Sequence, residues 1–186
     1  MANRNTQGFG LIAAGTLGQT PATSGQGKYK IDAGSTTTIY NGAAVASSAG
    51  YIIDGQTTDA PILGVLNGIF YNAATTLKPT FSNHYVQVTP ANSEDIDAFV
   101  FDNPQQQYVV ATDDSVAQSG YLETYDMNTS AGSTTTGKSS ATLDIGDTSA
   151  DAASFRLLRS AEDPENDENA ARRSVVVCIN LIELQS

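Results

Sequence analysis

Ser174-Val-Val-Val-Cys-Ile-Asn-Leu-Ile-Glu-Leu184 is nearly continuous in Val, Ile and Leu. A half-exposed strand alternates apolar with polar residues; a β-branched run without alternation reads as a strand covered on both faces. The segment is therefore expected to lie at the centre of a β-domain. Just upstream, Phe155-Arg-Leu-Leu158 reads as its hairpin partner, with the acidic stretch 160–170 as the connecting loop. Further back, Tyr121–Tyr125, Tyr108–Ala111, Ile96–Phe101 and His84–Thr89 have strand composition, the last stopping at Pro90. Pro61–Tyr71 is a longer apolar run in which Gly64 and Gly68 suggest bulges or a bend. Thr36–Tyr40 ends in the turn pair Asn41-Gly42, Ala43–Val45 follows it, and Tyr51–Ile53 ends in Asp54-Gly55. Lys28–Asp32 alternates, and Thr142, Leu143 and Ile145 suggest a further short strand beyond a polar loop at 128–140. Short strands at ~8–12-residue spacing predict an all-β barrel or sandwich over residues 28–186. One short helix is expected, from Asp114 to Gln118, capped by Thr112 or Asp113 and closed by Gly120.

Residues 1–27 read differently. Glycines at 8, 10, 15, 18, 25 and 27 interrupt Phe9, Leu11, Ile12 and Leu17, with neither a helical period nor sustained alternation. A tail with this many apolar side chains and this little capacity for its own core is expected to be an extended N-terminal arm. Phe9, Leu11, Ile12 and Leu17 would be its contacts with a partner surface or a neighbouring subunit.

The chain has 186 residues, of which 16% are charged, where about 25% is usual. Its polarity comes largely from 21 Thr and 17 Ser. Nine basic against 20 acidic residues give a net charge of −11, which disfavours nucleic acid and anionic membranes as partners. No segment approaches the roughly 20 apolar residues of a membrane helix, and the apolar stretch near the start is shorter than the ~7–15 residues of a signal-peptide core. One Cys excludes an internal disulfide framework and a four-Cys zinc site, and one His excludes a site needing two imidazoles.

Gly132-Ser-Thr-Thr-Thr-Gly-Lys-Ser139 matches the phosphate-binding pattern G-x-x-x-x-G-K-S letter for letter. That chemistry needs a buried strand before the loop and a helix N-terminus after it. Here the flanks are Asp126-Met-Asn-Thr-Ser130 and Ser139-Ser-Ala-Thr-Leu-Asp-Ile145, so the motif is expected to be a Thr-rich surface loop. Cys178 and His84 form the one conceivable thiol–imidazole pair, but Cys178 sits inside Val177-Cys178-Ile179 and reads as a core residue. Glu162, Asp163, Glu165, Asp167 and Glu168 lack the glycine and spacing of a calcium loop and read as a solvated hairpin tip. The pairs Glu94/Asp95 and Glu123/Asp126 carry no carboxylate separation that a sequence can reveal. No catalytic, cofactor-binding or metal-ligating residue is assigned.

Taken in order, several pieces resemble the head decoration (cement) proteins of tailed bacteriophages. They are the Gly-rich opening from Gly8-Phe-Gly-Leu-Ile12 to Gly27, Thr38-Ile-Tyr-Asn-Gly-Ala-Ala-Val45, Ile62-Leu-Gly-Val-Leu66, Tyr85-Val-Gln-Val88, Asp97-Ala-Phe-Val-Phe101, the loop Gly132–Gly137, Leu157-Leu-Arg-Ser160, Pro164-Glu-Asn166 and Val177-Cys-Ile-Asn180. The likeness spans nearly the whole chain and departs from the family pattern in the more acidic C-terminal loop. It implies a non-enzymatic virion protein, made in the host cytoplasm. On the outer surface of the capsid it would bind the major capsid protein, associate as a homotrimer, and brace the shell against genome pressure. Alternatives are a tail-tube or tail-spike component, or a carbohydrate-binding β module.

Overall fold

A computed structural model describes residues 7–18, 25–56, 61–128, 132–146, 153–162, 164–167, 169–180 and 182–185. The strands are β1 (Ile12–Thr16), β2 (Gly27–Ile31), β3 (Ala44–Ser48), β4 (Tyr51–Asp54), β5 (Gly64–Asn72), β6 (Pro79–Ser82), β7 (Ile96–Phe101), β8 (Gln106–Ala111), β9 (Thr124–Tyr125), β10 (Met127–Asn128), β11 (Thr142–Leu143), β12 (Phe155–Ser160) and β13 (Ser174–Ile179). One antiparallel sheet runs β1-β8-β13-β12-β9. A second runs β2-β7-β5-β3-β4 with β6 added to β5, and β10 and β11 form a small ladder of their own. The second sheet curls until β4 lies alongside β2.

Two apolar cores follow from this arrangement. Tyr108, Val110, Phe155, Leu157, Val175 and Val177 point from the five-stranded sheet onto Ala44, Ile62 and Val65. Val45, Leu66, Ile69, Ala98 and Val100 point the other way, into the curled sheet, against Ile31, Ile52 and Ile96. β3 and β5 are thus shared walls, which is why their apolar stretches run without alternation where the layers meet. The fold is a sandwich with one layer rolled toward a barrel. The buried tyrosines each place their hydroxyl on a carbonyl: Tyr85 donates to Ser35 O at 2.6 Å, Tyr108 to Phe101 O at 3.0 Å and Tyr125 to Gly120 O at 3.0 Å. A buried hydroxyl left unpaired would cost ~1–3 kcal/mol.

The central position expected for the C-terminal strand is found. β13 lies between β8 and β12, and all six of its residues are buried. It is shorter than read, ending at Ile179. Asn180 leaves the ladder because its N–H donates to Ser154 O (2.8 Å) and its amide to Ala153 O (3.1 Å). Ile182 then bridges Ile62, and residues 183–185 make a 3-10 turn. The bulge expected in β5 lies between Leu66 and Gly68. A Cβ on Gly68 would stand 2.8 Å from Phe81 Cζ, closer than packing allows, so the edge-strand ring occupies the place of the missing side chain.

Other expectations are corrected. Thr36–Tyr40 and His84–Thr89 are not strands. Their backbones pair through a single bridge, Ile39 N–H to Tyr85 O (3.0 Å) and the reverse (2.8 Å), after which Tyr85 turns into the core. The helix at 114–118 does not form. Asp113 spends its carboxylate on Ile145 N–H (2.9 Å) instead of capping, Val116 is drawn into the core, and only a 3-10 turn at Gln118–Gly120 remains. So short a segment lacks the length to offset helix nucleation.

The separate N-terminal arm is also corrected for residues 7–18, which belong to the domain. Gly10 N–H donates to Ala141 O (3.2 Å), Leu11 N–H to Gly42 O (2.8 Å) and Leu17 N–H to Gln105 O (2.9 Å), while β1 pairs with β8. Leu11 is 3% exposed inside the first core. Burial within the same chain avoids the entropy of association, so it wins over burial on a partner. The rest of the expected arm up to its boundary, 1–6 and 19–24, lies outside the described residues apart from Gly25–Gly27.

Candidate functional site

The loop that matches the phosphate-binding pattern is closed on itself. Gly137 N–H donates to Ser133 O (2.6 Å), Ser133 N–H to Lys138 O (3.0 Å) and Ser139 N–H to Asn41 O (2.9 Å). The amides of Ser133, Gly137 and Ser139 are therefore already occupied. The glycines have a packing reason. A Cβ on Gly132 would overlap the Tyr40 ring, and Gly137 has φ +70° with Asn83 Cγ 2.7 Å from where its Cβ would stand. Tyr40 in turn stacks on His84, with ring centroids 6.0 Å apart, and Asn83 donates to Thr136 O (2.8 Å). The motif is a clasp around Tyr40 and His84.

The thiol lies on β13 of the five-stranded sheet, whereas the imidazole lies in the bend that follows β6. Cys178 stands on β13 opposite Gln107 and Arg156, and burial pushes its thiol up, only partly offset by Arg156. The candidate carboxylates are engaged structurally. Asp95 accepts from Tyr51 O–H (3.1 Å) and Ala33 N–H (3.4 Å), and Asp126 from Ser154 N–H (2.9 Å). Asp97 lies between Lys28 (2.7 Å) and Lys30 (2.6 Å); burial raises its pKa, but the two ammonium groups outweigh this and hold it below the ordinary value. Of the acidic loop, Asp163 and Glu168 lie outside the described residues, and among the described residues no three potential ligands gather to hold a metal.

What remains is surface. β1 is the outer strand of its sheet and, among the described residues, pairs only with β8. Its stretch from Gln7 to Gly18 holds no charge and no proline, the devices that usually guard a sheet edge. Of the four anticipated contact residues, Leu11 is internal, Phe9 half-buried, and Ile12 (52%) and Leu17 (41%) are exposed. On the second sheet, Phe81 (64% exposed) lies against Phe99 at 6.3 Å between centroids and opposite Phe70 in register.

A cleft of about 580 Å³ opens beyond the other edge of the five-stranded sheet. Its walls include Val116, Tyr121, Leu122, Leu158 and Arg159, and Arg173 forms its base, with its guanidinium 5.6 Å from the Tyr121 ring centre and Nε 3.3 Å from Ser160 Oγ. The site is not legible in the sequence, where 115–122 reads as helix then strand. The one available signal was Leu157-Leu-Arg159, where β12 bulges between Leu157 and Arg159 and so breaks the alternation at Leu158. No family model, curated protein or solved structure matches the chain.

Proposed function

We propose that the chain is a non-enzymatic structural protein of a tailed-bacteriophage virion. It binds the outer surface of the capsid through the major capsid protein, self-associates as a homotrimer, and stabilises the shell. The observation that carries this reading is the uncharged strand β1 at the outer position of its sheet, with Ile12 and Leu17 exposed beside it. An unguarded edge is a template for another chain, and main-chain pairing supplies affinity without a catalytic group. Several of the reactive side chains support the reading in a second way, since Cys178, His84, Asp95 and Asp126 are held in packing or internal hydrogen bonds. The net charge of −11 suits a surface facing away from DNA. Imaging purified particles of the encoding virus, with and without the gene, tests it. The expected result is density on the outer head surface that disappears with the gene, and shells that open at lower temperature without it. Absence from the particle, or density in the tail, would overturn it.

A second reading, a carbohydrate-binding module, is favoured by the exposed Phe81 ring beside half-buried Phe99, since an aromatic ring on an open sheet face can stack on sugars. Retardation of the chain in polysaccharide-containing gels, abolished by Phe81→Ala, would support it.

A further inference from the structure

We infer that the outward face of the five-stranded sheet and the adjoining cleft form one docking site for an acidic protein segment carrying an apolar anchor. This rests on the capsid reading, in which that segment belongs to the shell. None of β1, β8, β13, β12 or β9 contains Asp or Glu, and among the described residues no carboxylate lines the cleft. In a chain with 20 acidic and nine basic residues, such a region is electrostatically distinct.

The register builds the face. Ile12, Val109, Val176 and Arg159 stand side by side across four strands, and Gln107, Cys178 and Arg156 form the neighbouring row. Arg159 Nη2 lies 3.4 Å from Gln107 Oε1, so its side chain crosses β13 and covers Val176 and Cys178 with its stem. Arg156 is held by Leu122 O (2.6 Å) and Asn180 Oδ1 (3.0 Å). Both guanidiniums are thereby held in place by hydrogen bonds within the sheet, the pre-organised form in which arginine serves interfaces.

The bulge at Leu158 lets Leu158 and Arg159 both reach the cleft, and Leu122, 62% exposed with φ +69°, stands at its rim. An apolar side chain of the partner would enter between Leu122, Leu158 and Tyr121. Carboxylates beside it would meet Arg159 and Arg156. The charge match selects this partner over another copy of the chain laid face to face, which would oppose arginines with arginines.

The test uses the full chain, Arg159→Glu, Leu122→Asp and a control, Lys78→Glu, each first checked for unchanged melting. Each is sedimented with heads purified from particles lacking the chain. Each is also titrated by fluorescence anisotropy with a fluorescein-labelled acidic hexapeptide with a central Leu-Phe pair. Wild type and Lys78→Glu should bind both, and the two face variants should bind about tenfold or more weakly. Unchanged binding by the face variants would overturn the site. If wild type fails to bind heads, the capsid reading fails and the peptide decides alone. Loss of peptide binding in Arg159→Glu then supports the face, while no binding, or binding unaffected by the substitution, overturns it. Self-association of wild type that Arg159→Glu abolishes would assign the face to a second copy and overturn the proposed partner.

Discussion

Leu11→Ala separates a docked N-terminal strand from a free arm. On a free arm the substitution would leave the isolated chain unaffected. In the structure Leu11 is 3% exposed and packs in the core under the five-stranded sheet. Truncation removes about three carbons, worth ~2.4 kcal/mol at ~0.8 kcal/mol per buried methylene. A cavity term adds to this, but Leu11 enters the core from the residue just before β1, where the neighbours can relax. The expected cost is therefore ~2–3 kcal/mol, the lower part of the range for buried leucines. For a chain of this length that is a fall in Tm of ~4–12 °C. Urea unfolding followed by circular dichroism and by tyrosine fluorescence measures it, since the chain has no Trp. Ile12→Ala, next door but half exposed, is the control and should change stability by less than ~1 kcal/mol. If Leu11→Ala matches wild type within ~0.5 kcal/mol, residues 7–18 do not contribute to the fold and the docked strand is refuted.

Gly68→Ala should cost ~1–3 kcal/mol, because the new methyl meets Phe81 Cζ at 2.8 Å, and Phe81→Ala in the same chain should recover part of that loss. Cys178 should react with a thiol reagent only after unfolding, since burial keeps the thiol protonated; rapid labelling of the native chain would contradict its placement. Lys138→Ala should change stability by no more than about 0.5 kcal/mol, and calorimetry with ATP and Mg²⁺ should show no binding heat, since the loop runs into β11 rather than a helix and its Ser133, Gly137 and Ser139 amides are already bonded. Asp97, with its folded pKa held below the ordinary value, contributes stability that is present above ~4 and lost as pH falls through its folded pKa. Asp97→Asn should therefore flatten the acid limb of the stability curve, and an unchanged limb would contradict the ion pairs.

The strands that carry their own pattern were legible from sequence. Residues 96–101 and 174–179 combine β-branched content with clear burial logic, and the pairing of 155–160 with 174–179 follows from the polar loop between them. β1 and β6 were not, because Ile12-Ala-Ala-Gly-Thr16 and Pro79-Thr-Phe-Ser82 hold too few strand formers; they become strands only because β8 and β5 offer them an edge. The reverse error at 36–40 has the same origin: strong local propensity found no edge to join beyond Ile39. The arginine face was hidden for a different reason. Arg156 and Arg159 read as isolated charges until the register sets them beside Val176, Gln107 and Ile12, and no local window contains that row.

The pairing of β1 with β8, and of β8 with β13, also sets the order in which this chain can fold during synthesis. Ile12 leaves the ribosome long before Val109, and Val109 before Val176, yet the three share one row of the sheet. The curled sheet can close as soon as residues 96–101 have emerged, since β2, β3, β4, β5 and β7 all precede that point. The five-stranded sheet has to wait for its middle strand, β13. At ~5–20 residues per second the first-made strand therefore spends roughly ten seconds or more without its sheet complete. Contacts this distant in sequence make folding slow by topology alone. A chain interrupted before residue 174 would retain one closed half and expose the apolar inner face of the other, a species prone to aggregate through the same uncharged edge that the finished protein presents.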